Sequence, residues 1–429
     1  MPAETPKHLS SPLPSAGGAK QHWSLDVAFP VYAMAFTEDK TVLLGGGGGS
    51  SRTGVKNRLS LHKITPATRS FDLVHEYELS KTEDAPMSVA VEPTTKTLIA
   101  GINSAVDKLK EGTNENLRVF EYDDEAIKYI KQKQTITSVN EDHYQKVATF
   151  SRSASSSSSE KADEKSSTQS LLAIGSTNSQ LSLLTFPELE EVFPPIEYEG
   201  EELFDVDFND DTSLLLGASS SKLCVWSTKK AEGESAQEAV QVIERPVLKK
   251  TLACTFRAAK FGRHSTSTNL YTIVNASPSV RSRKPGPGEK KSFVSLWDTK
   301  TWTLKKTRTV SQKPVTAFDV SDDGTLLAYG SSDLSVGVLD AVTLRPILHI
   351  LHAHDFPVTS LKFNPSGTLL LSGSADNSVR VVEVPSKEKR GGSSTSTLTN
   401  FLLTLFILLL AVYIQRSYGE DLLKAAGVA

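Results

Sequence analysis

Two stretches of this chain align without a gap at a spacing of 43 residues: PVTAFDVSDDGTLLAYGSSDLSVGVLD from Pro314 and PVTSLKFNPSGTLLLSGSADNSVRVVE from Pro357, with 13 of 27 positions identical. An internal period in the low forties is that of a propeller blade of the WD type, four short strands to a repeat. Each copy reads as an alternating strand, an Asp/Ser-Gly turn, a second strand, a Ser-x-Asp turn and a third strand. One blade alone leaves both faces of its sheet wet, so such repeats must stack until a ring closes. More copies are therefore required.

They are present upstream in weaker form. LFDVDFNDDTSLLLGASSSKLCVW starts at Leu203, and TFRAAKF at Thr255 leads through NLYTIVNA to FVSLWD, ending on Trp297 and Asp298. VATF at Val147 resumes at Ser170, PMSVAVEPTTKTLIAGI at Pro86 continues to Leu117, and VYAMAFTEDKTVLLGG at Val31 continues to Arg58. That makes seven candidate blades. The blade begun at Pro357 lacks an outer strand, and HWSLDVA, residues 22–28, alternates correctly to supply it from the other end of the chain. The expected fold is all-β: a seven-bladed WD-type β-propeller over residues 21–386, with a single C-terminal transmembrane helix. Inserts expected to be disordered or loop-like interrupt it at about 151–169, 229–240 and 281–291, because they are polar and rich in Ser, Gly and Pro.

The ends differ from each other. Residues 1–20 have no apolar run and read as a flexible leader rather than a secretory signal. Residues 398–414, LTNFLLTLFILLLAVYI, carry no charge. As a helix they would span roughly 25 Å, enough for a thin bilayer. Lys387, Lys389 and Arg390 precede the segment, so the positive-inside bias puts the N-terminal domain in the cytosol. Residues 387–397 then form a juxtamembrane linker, and residues 415–429 a short lumenal tail.

Composition removes several classes of function. Lys and Arg number 47 against 50 Asp and Glu, a net charge of −3 that gives no basic footprint for nucleic acid. Two cysteines, Cys224 and Cys254, do not make a disulfide framework. No triad, metal cluster or cofactor box stands out, so no small-molecule substrate is expected. His352 and His354 lie at a blade boundary and read as structural. Asp319, Asp333 and Asp376 read as carboxylates that fix turns.

One segment breaks the repeat: GGGGGSSRTGVKN, from Gly45 to Asn57. The dinucleotide fingerprint and the phosphate loop both fail on spacing, and both need a helix where a strand follows, so the chain is expected to bind no nucleotide itself. Five consecutive glycines are costly in backbone entropy, which favours a use: a close backbone approach, or carbonyls converging on a weakly hydrated monovalent cation. The candidate ligands are Gly45, Gly46, Gly47, Gly48 and Gly49, with Asn57 either holding the ion or pinning the loop. Val55 is the only apolar side chain of the segment.

A cytosolic propeller, a glycine-rich excursion in its first blade and one C-terminal span together resemble the endoplasmic-reticulum guanine-nucleotide exchange factors for the Sar-type small GTPase of the COPII coat. Animal members of that family are called prolactin regulatory element-binding protein. The resemblance covers essentially the whole chain. Its most specific part is GGGGGSSRTGVKN, similar to the family's potassium-binding loop, with Val55 at the apolar position and Asn57 at the asparagine. Lys56 departs from the Pro of several relatives. The resemblance implies a K⁺ ion in this loop, and an exchange loop of Arg52, Thr53, Gly54, Val55, Lys56 and Asn57 that presses on the GTPase switch region. It further implies residence in the endoplasmic-reticulum membrane and no bond-making chemistry. The competing expectation is a membrane-tethered propeller scaffold without exchange activity.

Overall fold

The structure is a computed structural model that describes residues 21–50, 54–123, 126–152, 169–198, 200–230, 237–247, 252–278, 290–387, 403–410 and 412–413. Seven four-stranded antiparallel sheets make up the ring. Their first strands are Val31–Glu38, Ser88–Glu92, Gln145–Phe150, Asp205–Phe208, Leu252–Phe261, Val315–Val320 and Val358–Phe363, numbered here as the inner strands of blades 1 to 7. Each touches the inner strand of the next blade, and that of blade 7 touches blade 1. The ring is closed.

The latch is the one expected. His22–Asp26 pairs antiparallel with Ser378–Glu383, setting Trp23 opposite Val381 and Leu25 opposite Val379. Blade 7 is thus built from both ends of the domain, which ties the ring shut.

The core lies between blades. One apolar cluster joins Leu43, Leu59 and Leu61 of blade 1 to Leu98, Ala100 and Phe120 of blade 2; another joins Trp23, Leu371 and Val379 of blade 7 to Val31 and Leu44 of blade 1. Middle strands are therefore covered on both faces: Thr97–Gly101 is buried at every position. Outer strands such as Ser70–Glu78 face water and carry the polar residues. Strands covered on both faces read as continuous apolar runs, as TLIAG does, and that is why the alternation weakens there.

Buried charges stitch neighbouring blades together. Asp319 corrects the turn reading: it lies inside the inner strand of blade 6 and accepts from the Phe363 N–H (2.9 Å) and Lys362 Nζ (3.2 Å) of blade 7. Burial would raise its pKa, but the Lys362 and Arg263 charges and the Phe363 N–H hold it below the ordinary value. The same clamp joins blades 4 and 5. Asp205 accepts from Lys260 Nζ at 2.7 Å and Asp207 from the Phe261 N–H at 2.8 Å. Burial alone would depress the Lys260 pKa; the two flanking carboxylates overcome it and raise it.

Asp333 and Asp376 do fix turns, accepting from the N–H and hydroxyl of Ser335 and of Ser378. His354 is structural too, buried between the hydroxyls of Ser378 (2.7 Å) and Ser372 (2.8 Å).

Of the expected membrane span, residues 403–410 and 412–413 are helical and expose their apolar side chains. Among the described residues no helix is long and apolar enough to cross a membrane. The leader, most of the linker, the tail and the centres of the three inserts lie outside the described residues. The third insert ends earlier than expected, since Lys291 already opens the strand Lys291–Asp298.

Candidate functional site

The glycine-rich segment divides in two. Gly45 and Gly46 are not loop but the end of the strand Thr41–Gly46, paired on one side with Ala33 and Val31 and on the other with Leu59 and Arg58. Their backbones belong to the ladder, which corrects their reading as loop. Gly46 must be glycine because a Cβ there would lie 1.9 Å from the Pro30 carbonyl oxygen. Gly47 turns the chain out of the strand at φ +145°, its N–H donating to that same carbonyl at 3.1 Å. A Cβ on Gly47 would sit 2.2 Å from Asn57 Oδ1. Close approach, one of the two uses expected of the run, accounts for both glycines.

Asn57 is the clamp of the turn. It is buried, its Oδ1 accepts from the Gly49 N–H at 2.9 Å, and its Nδ2 donates to the carbonyls of Gly49 (2.9 Å) and Glu83 (2.7 Å). Its own carbonyl accepts from the Leu79 N–H. Of the two roles open to Asn57, the side chain performs the pinning. Glu83 is held in turn by Arg118 at 2.5 Å, so blade 2 fixes the carbonyl that Asn57 reads.

Asp84 supplies the second anchor, its Oδ1 accepting from the N–H groups of Ser50 (3.0 Å) and Ala85 (2.7 Å). Burial raises its pKa, opposed by those two N–H groups. Among the described residues no cation pairs with it. Asp84 and Glu83 were not singled out from the sequence. The available signal was an acidic pair just before Ala85-Pro86, where the chain enters blade 2.

The other expected loop residues are spread out. Val55 is half-buried against the cluster of Trp23, Phe29 and Val31, anchoring the returning arm. Lys56 forms an exposed ion pair with Glu78 at 2.6 Å. Gly54 is exposed, with φ +80° and open space around it. Arg52 and Thr53 lie outside the described residues.

This turn sits on the face of the ring where the inner strands begin, as its contact with Pro30 shows. Comparison with known proteins bears on what that face does. Residues 345–383 match the WD domain, G-beta repeat family. A protein of Candida glabrata named guanine nucleotide-exchange factor SEC12 is 25% identical over 406 residues, covering 93% of this chain and 80% of its own length. The chain is similar to the SEC12 exchange factors over most of its length. The SEC12 protein of Mus musculus is 24% identical over 358 residues, covering 76% of this chain and 79% of its own. A second Candida glabrata protein, named putative guanine nucleotide-exchange factor SED4, is 22% identical over 345 residues that make up only 29% of its length. The likeness to SEC12 runs well past one repeat and takes in the blade-1 turn as well as the WD-matched blade 7. A propeller alone would not distinguish among functions.

Proposed function

We propose that the chain accelerates GDP release from a small GTPase of the Sar type at the endoplasmic-reticulum membrane, the step that starts COPII coat assembly and transport to the Golgi. The observation that carries this reading is the likeness to SEC12 exchange factors over 93% of the chain. Exchange makes and breaks no covalent bond. It requires a surface that prefers the nucleotide-free GTPase, and by linkage the factor weakens nucleotide by the same ratio that nucleotide weakens the factor. A 10⁴-fold weakening corresponds to roughly 5.5 kcal/mol of differential affinity.

The element proposed to deliver it is the turn from Gly47 to Asn57, pressing on the switch region. Its two arms are tied down by Asn57, Asp84 and Val55, so a push at the tip is transmitted to the ring rather than absorbed by the loop. A potassium ion fits the chemistry of this turn. The surrounding donors are oxygens, and the Asp84 carboxylate lacks a cationic partner among the described residues. Carbonyls of Gly47, Gly48 and Gly49 together with Asp84 would hold the ion, which supplies a positive charge that stiffens the turn. The exposed Leu403, Phe406 and Leu409 support a membrane anchor, with the propeller on the cytosolic side.

The test reconstitutes the full chain in liposomes with a Sar-type GTPase loaded with GDP and follows release by tryptophan fluorescence. Acceleration that saturates with the chain is expected. Release at the spontaneous rate would overturn the proposal in favour of a tethered scaffold.

A further inference from the structure

Five of the seven inner strands skip one residue in their pairing near the same mouth of the central channel: Tyr32, Lys146, Arg257, Thr316 and Thr359. A bulge leaves its residue unpaired and re-aims the side chain. All five side chains line one cavity of about 450 Å³ at the centre of the ring, on the face that carries the glycine-rich turn. The threonines spend their hydroxyls on the next blade: Thr316 donates to the Val358 carbonyl at 2.7 Å, and Thr359 to that of Val31. The corresponding bulges of blades 3 and 5 carry long cations instead.

Those two cations converge on one ring. Lys146 Nζ lies 4.4 Å and the Arg257 guanidinium 5.0 Å from the centroid of Phe204. Lys146 also meets the Glu202 carboxylate. Arg257 meets none: among the described residues it has no hydrogen-bond acceptor and no carboxylate within ion-pair distance. Asp205, which lines the same cavity, is already taken by Lys260 Nζ and the Ala259 N–H. Burial lowers the Arg257 pKa against the opposing fields of Asp205 and Glu202. Burial lowers that of Lys146 too, and the Arg257 charge adds to it. A guanidinium stays protonated regardless, so the mouth holds a buried cation whose carboxylate neighbours, Asp205 and Glu202, act on it from beyond ion-pair distance and leave its N–H fork without an acceptor among the described residues.

We propose that this mouth binds the phosphate group of a small soluble anion, received by the fork of Arg257 with Lys146 as the second cation. Phosphate fits better than a single carboxylate because it carries about two charges on several oxygens, matching a planar fork and a point charge on the same wall. Tyr144 lines the same wall, close enough for its phenol to feel the Arg257 charge. The site involves neither the GTPase nor the exchange reading, so it stands or falls alone.

Calorimetric titration of the purified full chain with inorganic phosphate and pyrophosphate provides the test. One saturable site is expected, tighter for pyrophosphate. Arg257→Gln should weaken it at least about 10-fold, as losing a charged hydrogen-bond donor implies, whereas Arg257→Lys should retain part of the affinity. Lys300→Gln, on the exposed outside of blade 5, should leave it unchanged. If Arg257→Gln fails to fold, Lys146→Gln carries the same expected loss. No saturable binding by the wild-type chain would overturn the proposal, as would affinity unchanged by the Arg257 and Lys146 substitutions or equally reduced by Lys300→Gln.

Discussion

Replacing Asn57 by alanine removes three hydrogen bonds at once: the Gly49 N–H to Oδ1, and Nδ2 to the carbonyls of Gly49 and Glu83. A neutral hydrogen bond contributes about 1 kcal/mol net, so about 3 kcal/mol is at stake. Water entering the half-buried turn returns part of it. A remaining loss of about 2 kcal/mol shifts the turn roughly 30-fold toward open conformations. The cost falls on the turn rather than the ring, because the Asn57 carbonyl still receives the Leu79 N–H and the blade-1 ladder is intact from Arg58 onward. Exchange by Asn57→Ala should therefore fall about 10- to 30-fold, with a melting temperature within about 4 °C of wild type. Asn57→Asp sharpens the test. It keeps the acceptor for Gly49 but turns a carboxylate toward two carbonyls that need donors, so its loss should be at least as large. GDP release followed by tryptophan fluorescence, alongside thermal melts by circular dichroism, measures both quantities. Wild-type exchange rates in both variants would refute the argument that this clamp holds the active turn.

Potassium chloride should support exchange better than matched sodium chloride, since a carbonyl-rich cage favours the weakly hydrated ion; equal rates in both salts would remove the ion from the mechanism. Lys260→Met leaves Asp205 and Asp207 buried without their cation and should cost about 3–5 kcal/mol in urea denaturation, a loss that Lys300→Met should not reproduce. Gly46→Ala forces a Cβ to 1.9 Å from the Pro30 carbonyl and should lower the urea midpoint, whereas alanine at Gly54, which is solvent-open but at positive φ, should cost only about 1 kcal/mol. His62 is buried, stacked 4.4 Å from Phe71, and burial lowers its pKa to about 4. Because the folded value lies below the unfolded one, its stability contribution is whole above pH 6.5 and is lost as pH falls toward 4, amounting to about 3 kcal/mol. Denaturation at pH 7.5 and pH 4.5 should show a smaller acid loss in His62→Phe, and an equal loss would contradict the assignment.

The repeat and the latch were legible because both rest on patterns local to one strand. Alternation in HWSLD is enough to identify an edge strand, and two gapless copies at a fixed offset are enough to identify a blade. Asp319 was misread for the opposite reason. In FDVSDDG it precedes a turn by sequence, yet its partners, Lys362 and Phe363, are 43 and 44 residues away and become neighbours only when blade 7 closes against blade 6. Gly45 and Gly46 were misread because a glycine run looks like a loop by composition. What makes them strand is their pairing with Ala33 and Val31 on one side and with Leu59 and Arg58 on the other, a tertiary fact.

The same distinction separates the parts of the candidate site. Asn57 was legible, since an amide with one acceptor and two donors at the foot of a glycine-rich turn has few uses. Glu83 and Asp84 were not, because they come from the entry to blade 2 and meet the turn only across the blade boundary. Lys146 and Arg257 were harder still: simple alternation assigns a bulged residue to the wrong face, so the strands that line the channel mouth are those whose pattern misleads. A regular repeat gives every blade the same surface. The glycine turn and the unequal bulges both depart from regularity, and both open on one face of the ring. There the seven-fold pseudosymmetry is broken, while the demand for a continuous core between blades keeps the rest of the repeat uniform.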